Sequence, residues 1–144
     1  MVKSYEKQMC KLVKEESFTY DAKITGPDDV EKIARLFLED RAEEYVIAIA
    51  LNSAGDVVAV HEISHGTISA SMVNPGEILK RILLNNASSF VIAHNHPSGN
   101  CNPSSDDNNV TERVKKAAEI IGIKMLDHLI IGETSYSYAN NGRI

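Results

Sequence analysis

The chain has 144 residues, enough for one domain with a core of its own. Hydrophobic residues make up 43% and charged residues 24%, the balance of an ordinary globular protein rather than a disordered or membrane-embedded one. The formal net charge is -5, from 15 basic and 20 acidic residues, which argues against a nucleic-acid binder because neutralising phosphates takes a basic surface.

Residues 1–24 read as an N-terminal arm with a strand near Met9–Val13. Such an exposed strand is free to add to the domain or to pair with a second copy in a homo-oligomer. Gly26-Pro27-Asp28-Asp29 opens a helix, with Val30, Ile33, Leu36 and Phe37 on one face. The apolar run Tyr45–Leu51, the turn Asn52-Ser53-Ala54-Gly55-Asp56 and the β-branched run from Val57 make a hairpin over 45–63. A helix at about 75–86 is expected to bury Ile78, Ile82 and Leu83; its Glu77 sits where the helix dipole favours an acid, so a structural role is expected for it. Ser89–Ala93 is a short apolar run with the look of a buried strand. Pro97, Gly99 and Pro103 mark a loop, and Val110, Val114, Ala117, Ala118 and Ile121 recur at helical spacing up to a stop at Gly122. A strand at 123–131 and a shorter one near 135–138 close the chain. The sum is an α/β chain of the α+β type: one domain over 25–144 with a single mixed β-sheet flanked by helices.

Chemistry concentrates in residues 94–107. On a strand, side chains two apart share a face, so His94 and His96 emerge together with Cα atoms roughly 6.5–7 Å apart. Asp107 falls in the first turn of the next helix, where its carboxylate can point back at the strand end. Two imidazoles and a carboxylate are the ligand set of a zinc ion that keeps a fourth position open for water. Ser104-x-x-Asp107 also fits a relaxed capping box, a role compatible with the site. Iron or manganese suits the same donors.

A second pattern competes for the metal. His61-Glu62-Ile63-Ser64-His65 matches His-Glu-x-x-His, which binds zinc when it lies on a helix. Here β-branched residues precede it and Gly66 follows; on a strand its two histidines stand about 13 Å apart, too far to share one ion. The match is read as coincidental. His128 reads as a packed, hydrogen-bonded histidine in an apolar strand, His65 as a rim residue at most, and Asn95 as pointing away from the face of its two neighbours. Ser98 is expected to shape the loop or contact substrate, and Cys101 to be incidental.

His94-x-His96, seven residues, Ser104, two residues, Asp107 resembles the motif of JAMM/MPN+ metallopeptidases, also called JAB domains. His-Asn-His-Pro-Ser-Gly at 94–99, Gly66-Thr67-Ile68 and Leu126-Asp127-His128-Leu129-Ile130-Ile131-Gly132 are similar to the bacterial RadC-like branch, and the resemblance covers about residues 25–144. It implies a JAB/MPN (cytidine-deaminase-like) architecture and a zinc-dependent hydrolase, a peptidase or isopeptidase acting on a protein or peptide substrate. It further implies His94, His96 and Asp107 as zinc ligands, Ser104 as hydrogen-bond partner of the developing oxyanion or the metal-bound water, and an upstream glutamate as general base. Glu62, four residues before Gly66, is the residue expected in that role, with Glu77 as competitor.

Many RadC-like proteins add an N-terminal helix-hairpin-helix region associated with DNA; none is expected within these 144 residues, and the acidic balance sets a DNA-repair role below hydrolysis. A noncatalytic binding module on the same fold predicts lost ligands, whereas all are present. Two cysteines, Cys10 and Cys101, make no disulfide framework. No membrane span or signal peptide is read, so the expectation is a cytoplasmic protein.

Overall fold

In the computed structural model, the residues described are 11–15, 17, 25–66 and 73–144. Three helices flank one five-stranded mixed sheet. The elements run α1 (Pro27–Leu38), β1 (Tyr45–Leu51), β2 (Val57–His65), α2 (Pro75–Leu84), β3 (Ser89–Asn95), α3 (Ser105–Ile121), β4 (Lys124–Ile131) and β5 (Ser135–Ser137). The sheet order is β2-β1-β3-β4-β5. Only β3 and β4 are parallel, because the helical crossover α3 returns the chain to the same end of the sheet; the other neighbours are antiparallel.

Both faces of β1 and β3 are covered, which explains why these strands are apolar throughout instead of alternating. On one face Val46, Ala48, Phe90 and Ile92 pack against α2 and α3; on the other Ile47, Ile49, Val91 and Ala93 pack against α1. Ile49 and Ile92 are fully buried, and burial of each contributes about 1.5–3 kcal/mol.

The helices turn out rotated from the simplest reading of their apolar residues. In α1 the buried set is Val30, Ile33, Ala34 and Leu38, with Leu36 exposed; in α2 it is Ile78, Leu79 and Ile82, with Leu83 exposed. Leu83 lies five residues after Ile78, about 140° round a 3.6-residue helix, and the sheet covers only one side. Ile121, at the end of α3, is likewise exposed while Val110, Val114 and Ala118 are buried. α2 stops at Leu84, two residues before the expected end, because Asn85 caps it and Asn86 takes a left-handed φ of 56°. The hairpin strand runs on to His65, two residues beyond its expected end. Of the expected strand near Met9–Val13, Met9 and Cys10 lie outside the described residues, and Lys11–Val13 carry no regular structure. Among the described residues, no helix is long and apolar enough to cross a membrane.

Candidate metal centre

Strand alternation puts Phe90, Ile92 and His94 on the face covered by α2 and α3. His96 lies just past the end of β3, where its backbone N–H donates to Ile131 O at 2.8 Å and so prolongs the pairing with β4. The loop after it is held close to the sheet: Glu133 N–H donates to Gly99 O, and a Cβ on Gly132 would lie 2.3 Å from that same oxygen. Only glycine fits at 132, and that fit seats the His96 loop.

Asp107 approaches from α3. Ser104 is the N-cap and Asp107 the third helical residue, and the capping box is complete: Asp107 N–H donates to Ser104 Oγ at 3.1 Å, and Asp107 Oδ2 accepts from Ser104 N–H and O–H, both at 2.7 Å. The cap engages Oδ2 and leaves Oδ1 facing His94. Asp107 Oδ1 lies 3.0 Å from His94 Nε2, Oδ2 lies 3.4 Å from His96 Nε2, and the two imidazole Nε2 atoms are 3.0 Å apart. Donors about 2.0–2.1 Å from a tetrahedral ion stand roughly 3.4 Å from one another, so the set is close to the span that zinc requires. Among the described residues it is the one cluster of three or more histidine, cysteine or acidic side chains able to hold an ion. The second ring nitrogen of each histidine is engaged elsewhere: His96 Nδ1–H donates to Asn100 O at 2.7 Å, and His94 Nδ1 lies 2.8 Å from His128 Nε2. Both Nε2 atoms are thus left for the centre.

The electrostatics agree. Burial pushes the Asp107 carboxyl up, but hydrogen bonds from His94 and His96 outweigh it and hold the group well below the usual carboxylate range. The hydrogen bond to Asp107 raises the His96 imidazole above its ordinary value, against the opposing effect of burial. Burial pushes His128 well below its ordinary value.

An open cleft borders the cluster, with Glu43, Glu44, His96, Ser98, Ser104 and Asp107 in its wall. Glu62 does not line it. A bulge in β2 sets Ser64 opposite Val46 and Glu62 opposite Ile47, on the α1 side of the sheet, where Glu62 is exposed. The acid that the fold brings to the cleft is Glu44. β1 pairs with β3 so that Val46 faces His94; continued by two residues, that register sets Glu44 beside His96, and the Glu44 charge contributes to the raised His96. Asn95 fixes the place from the other face of β3: its Oδ1 accepts from Tyr45 N–H at 2.8 Å and its Nδ2–H donates to Glu43 O at 2.9 Å, gripping the backbone on both sides of Glu44. No local motif marks Glu44, because its signal is a non-local strand register.

The remaining candidates fall elsewhere. Glu77 pairs with Lys80 and Arg81 within α2. His61 Nε2 lies 2.5 Å from Asn85 Nδ2, with burial and then Arg81 pushing its pKa down, while His65 stacks on Tyr45. The His-Glu-x-x-His pattern lies wholly on β2, as its context implied. Cys101 Sγ contacts Thr134 Oγ1 at 3.2 Å and stands outside the cluster. Gly66 borders the cleft, whereas Thr67 and Ile68 lie outside the described residues.

A mixed sheet that delivers two histidines from a strand end and a carboxylate from the next helix start defines a JAB-type site. The chain matches the RadC-like JAB domain over residues 24–143 and belongs to that family. Its relatives include a UPF0758 protein of Rubrobacter xylanophilus, 40% identical over 121 residues, or 84% of this chain and 53% of the relative. UPF0758 proteins of Alkaliphilus oremlandii (41% over 114 residues, 79% of this chain and 49% of the relative) and Clostridium beijerinckii (37% over 116 residues, 81% and 51%) are similar to it as well. The chain therefore spans about half the length of the curated relatives it matches.

Proposed function

We propose that this domain is a zinc-dependent hydrolase that attacks an amide carbonyl, as a peptidase or isopeptidase. The observation that carries the reading is the convergence of His94, His96 and Asp107, with both Nε2 atoms and a carboxylate oxygen turned toward one point. Zinc held there supplies a Lewis acid and a nucleophile available at neutral pH. Glu44, on the cleft wall beside His96, takes the proton of the attacking water and returns it to the leaving amine. Ser104 is the donor to the carbonyl oxygen as negative charge develops on it. In the structure its O–H goes to Asp107 Oδ2, so this role requires the proton to turn into the cleft.

The cleft is open at the surface, which suits a protein or peptide substrate. The site fixes the bond chemistry, while the surrounding surface chooses the substrate. Metal analysis of the purified protein beside a His96→Ala variant tests the reading. One equivalent of zinc, lost in the variant, is expected; equal zinc in both proteins would remove the site.

A further inference from the structure

Behind His94 lies a buried chain of polar contacts that metal ligation by itself does not explain. His94 Nδ1 is 2.8 Å from His128 Nε2, His128 Nδ1 is 2.6 Å from Thr111 Oγ1, and Thr111 Oγ1 is 2.7 Å from the backbone oxygen of Asp107. The chain starts on one member of the triad and ends on the backbone of another. His94, His128 and Thr111 are each no more than 2% exposed, so the chain is shielded from solvent. Tyr138, 1% exposed, stacks flat on the His128 ring at 4.9 Å and 8°, and its hydroxyl donates to Asn108 Oδ1, which fixes the plane of the ring.

The contacts fit together in one direction only. A carbonyl oxygen can only accept, so the single Thr111 hydroxyl proton goes to Asp107 O. Thr111 Oγ1 then offers His128 only lone pairs, and His128 Nδ1 must carry a proton. A neutral His128 has a bare Nε2, which accepts from His94 Nδ1–H. With its Nδ1–H engaged in this way, His94 turns Nε2 toward Asp107 Oδ1 at 3.0 Å, where a neutral ring presents a lone pair to an ion and a charged ring a proton to the carboxylate.

We propose that His128 is a positioning residue for the metal centre: with Thr111 behind it, it keeps the proton of His94 on Nδ1 and sets the ring orientation so that Nε2 is the atom directed at the ion site before any ion arrives. This proposal rests on the reading of His94, His96 and Asp107 as metal ligands. The physical expectation is general, since ligating histidines donate their second N–H to a fixed acceptor, and removing such acceptors costs about 10–100-fold in metal affinity.

Three variants test it. His128→Phe keeps the ring stacked on Tyr138 and removes the acceptor; His128→Gln returns an acceptor near the position of Nε2; Thr111→Val removes the hydroxyl at constant shape. Zinc affinity is read by competition with a chromophoric chelator, and the His94 tautomer by long-range nitrogen–proton NMR on zinc-free protein. Expected are a single Nδ1–H tautomer of His94 in the parent, about 10–100-fold weaker zinc binding with loss of that tautomer in His128→Phe, and recovery of most of the affinity in His128→Gln. A folded His128→Phe protein with parental affinity and an unchanged His94 tautomer would overturn the proposal. If His128→Phe does not fold, Thr111→Val decides: a mixture of His94 tautomers supports the relay, and an unaltered single tautomer ends it. A parent that binds no zinc yet shows the Nδ1–H tautomer would refute the metal reading and leave the relay standing.

Discussion

Two stretches of this chain, 61–65 and 94–107, each hold two histidines and an acid, and they differ in what the backbone does with them. His61 and His65 lie on one continuous strand and go to unrelated partners, Asn85 and the ring of Tyr45. His94 and His96 leave the end of a strand two residues apart, and the acid they need comes from a different element, the first turn of α3. A strand keeps its own side chains apart, and only a second element arriving at its tip can close a ligand set around a point. The comparison also separates the two glutamates: Glu62 shares the first stretch and stays on the α1 side, whereas Glu44 reaches the cleft through the pairing of β1 with β3.

The sharpest way to break this contrast is metal analysis across both stretches. His96→Ala and Asp107→Ala are expected to abolish stoichiometric zinc, with His61→Ala and His65→Ala retaining it. Metal loss on changing His61 or His65 would make β2 part of the centre. Next comes turnover, measured with internally quenched peptides. Glu44→Gln is expected to keep its zinc and lose about 10²–10⁴ in rate, the usual worth of a general base. Glu62→Gln is expected to match the parent, and the reverse result would hand the shuttle to β2.

A smaller effect concerns pH. In the metal-free protein, Asp107 raises the His96 pKa above its ordinary value, so a proton occupies the position that zinc needs. That proton stabilises the metal-free fold at pH below the ordinary histidine range, and the contribution fades as pH rises through the raised value. Zinc affinity, read by chelator competition, therefore increases over the same rise; the dependence should flatten in Asp107→Asn, although that protein binds less metal, and should stay unaltered in His61→Ala. The smallest expected effect is on stability. Ser104→Ala removes the α3 cap and should cost about 0.5–2 kcal/mol in denaturant unfolding. Ser64→Ala, whose hydroxyl is buried with no partner among the described residues, should cost less.

Much of the fold was legible because its signals are local. The apolar run before His94, the turn residues between β1 and β2 and the stop at Gly122 each act through their own backbone, and β1, β3 and α3 form where those signals lie. The misread positions, Leu36, Leu83 and Ile121, are apolar residues on the uncovered sides of helices. Nothing in a helix's own sequence states how wide the covering sheet will be. Of the candidate site, the triad was legible because strand period and helix start suffice to aim it. Glu44 was not, since nothing local separates it from Glu43.

The amino-acid sequence by itself determined which residue types converge at the candidate metal centre and which elements carry them, because spacing along a strand and position in a first helical turn fix direction within a few residues. Only the tertiary structure decided which acid joins them and which residue stands behind His94. Both depend on contacts between strands far apart in sequence: Val46 opposite His94 brings Glu44, and the parallel pairing of β3 with β4 brings His128. Registers of that kind are set by the packing of the whole sheet between its helices, and no short stretch of chain encodes them.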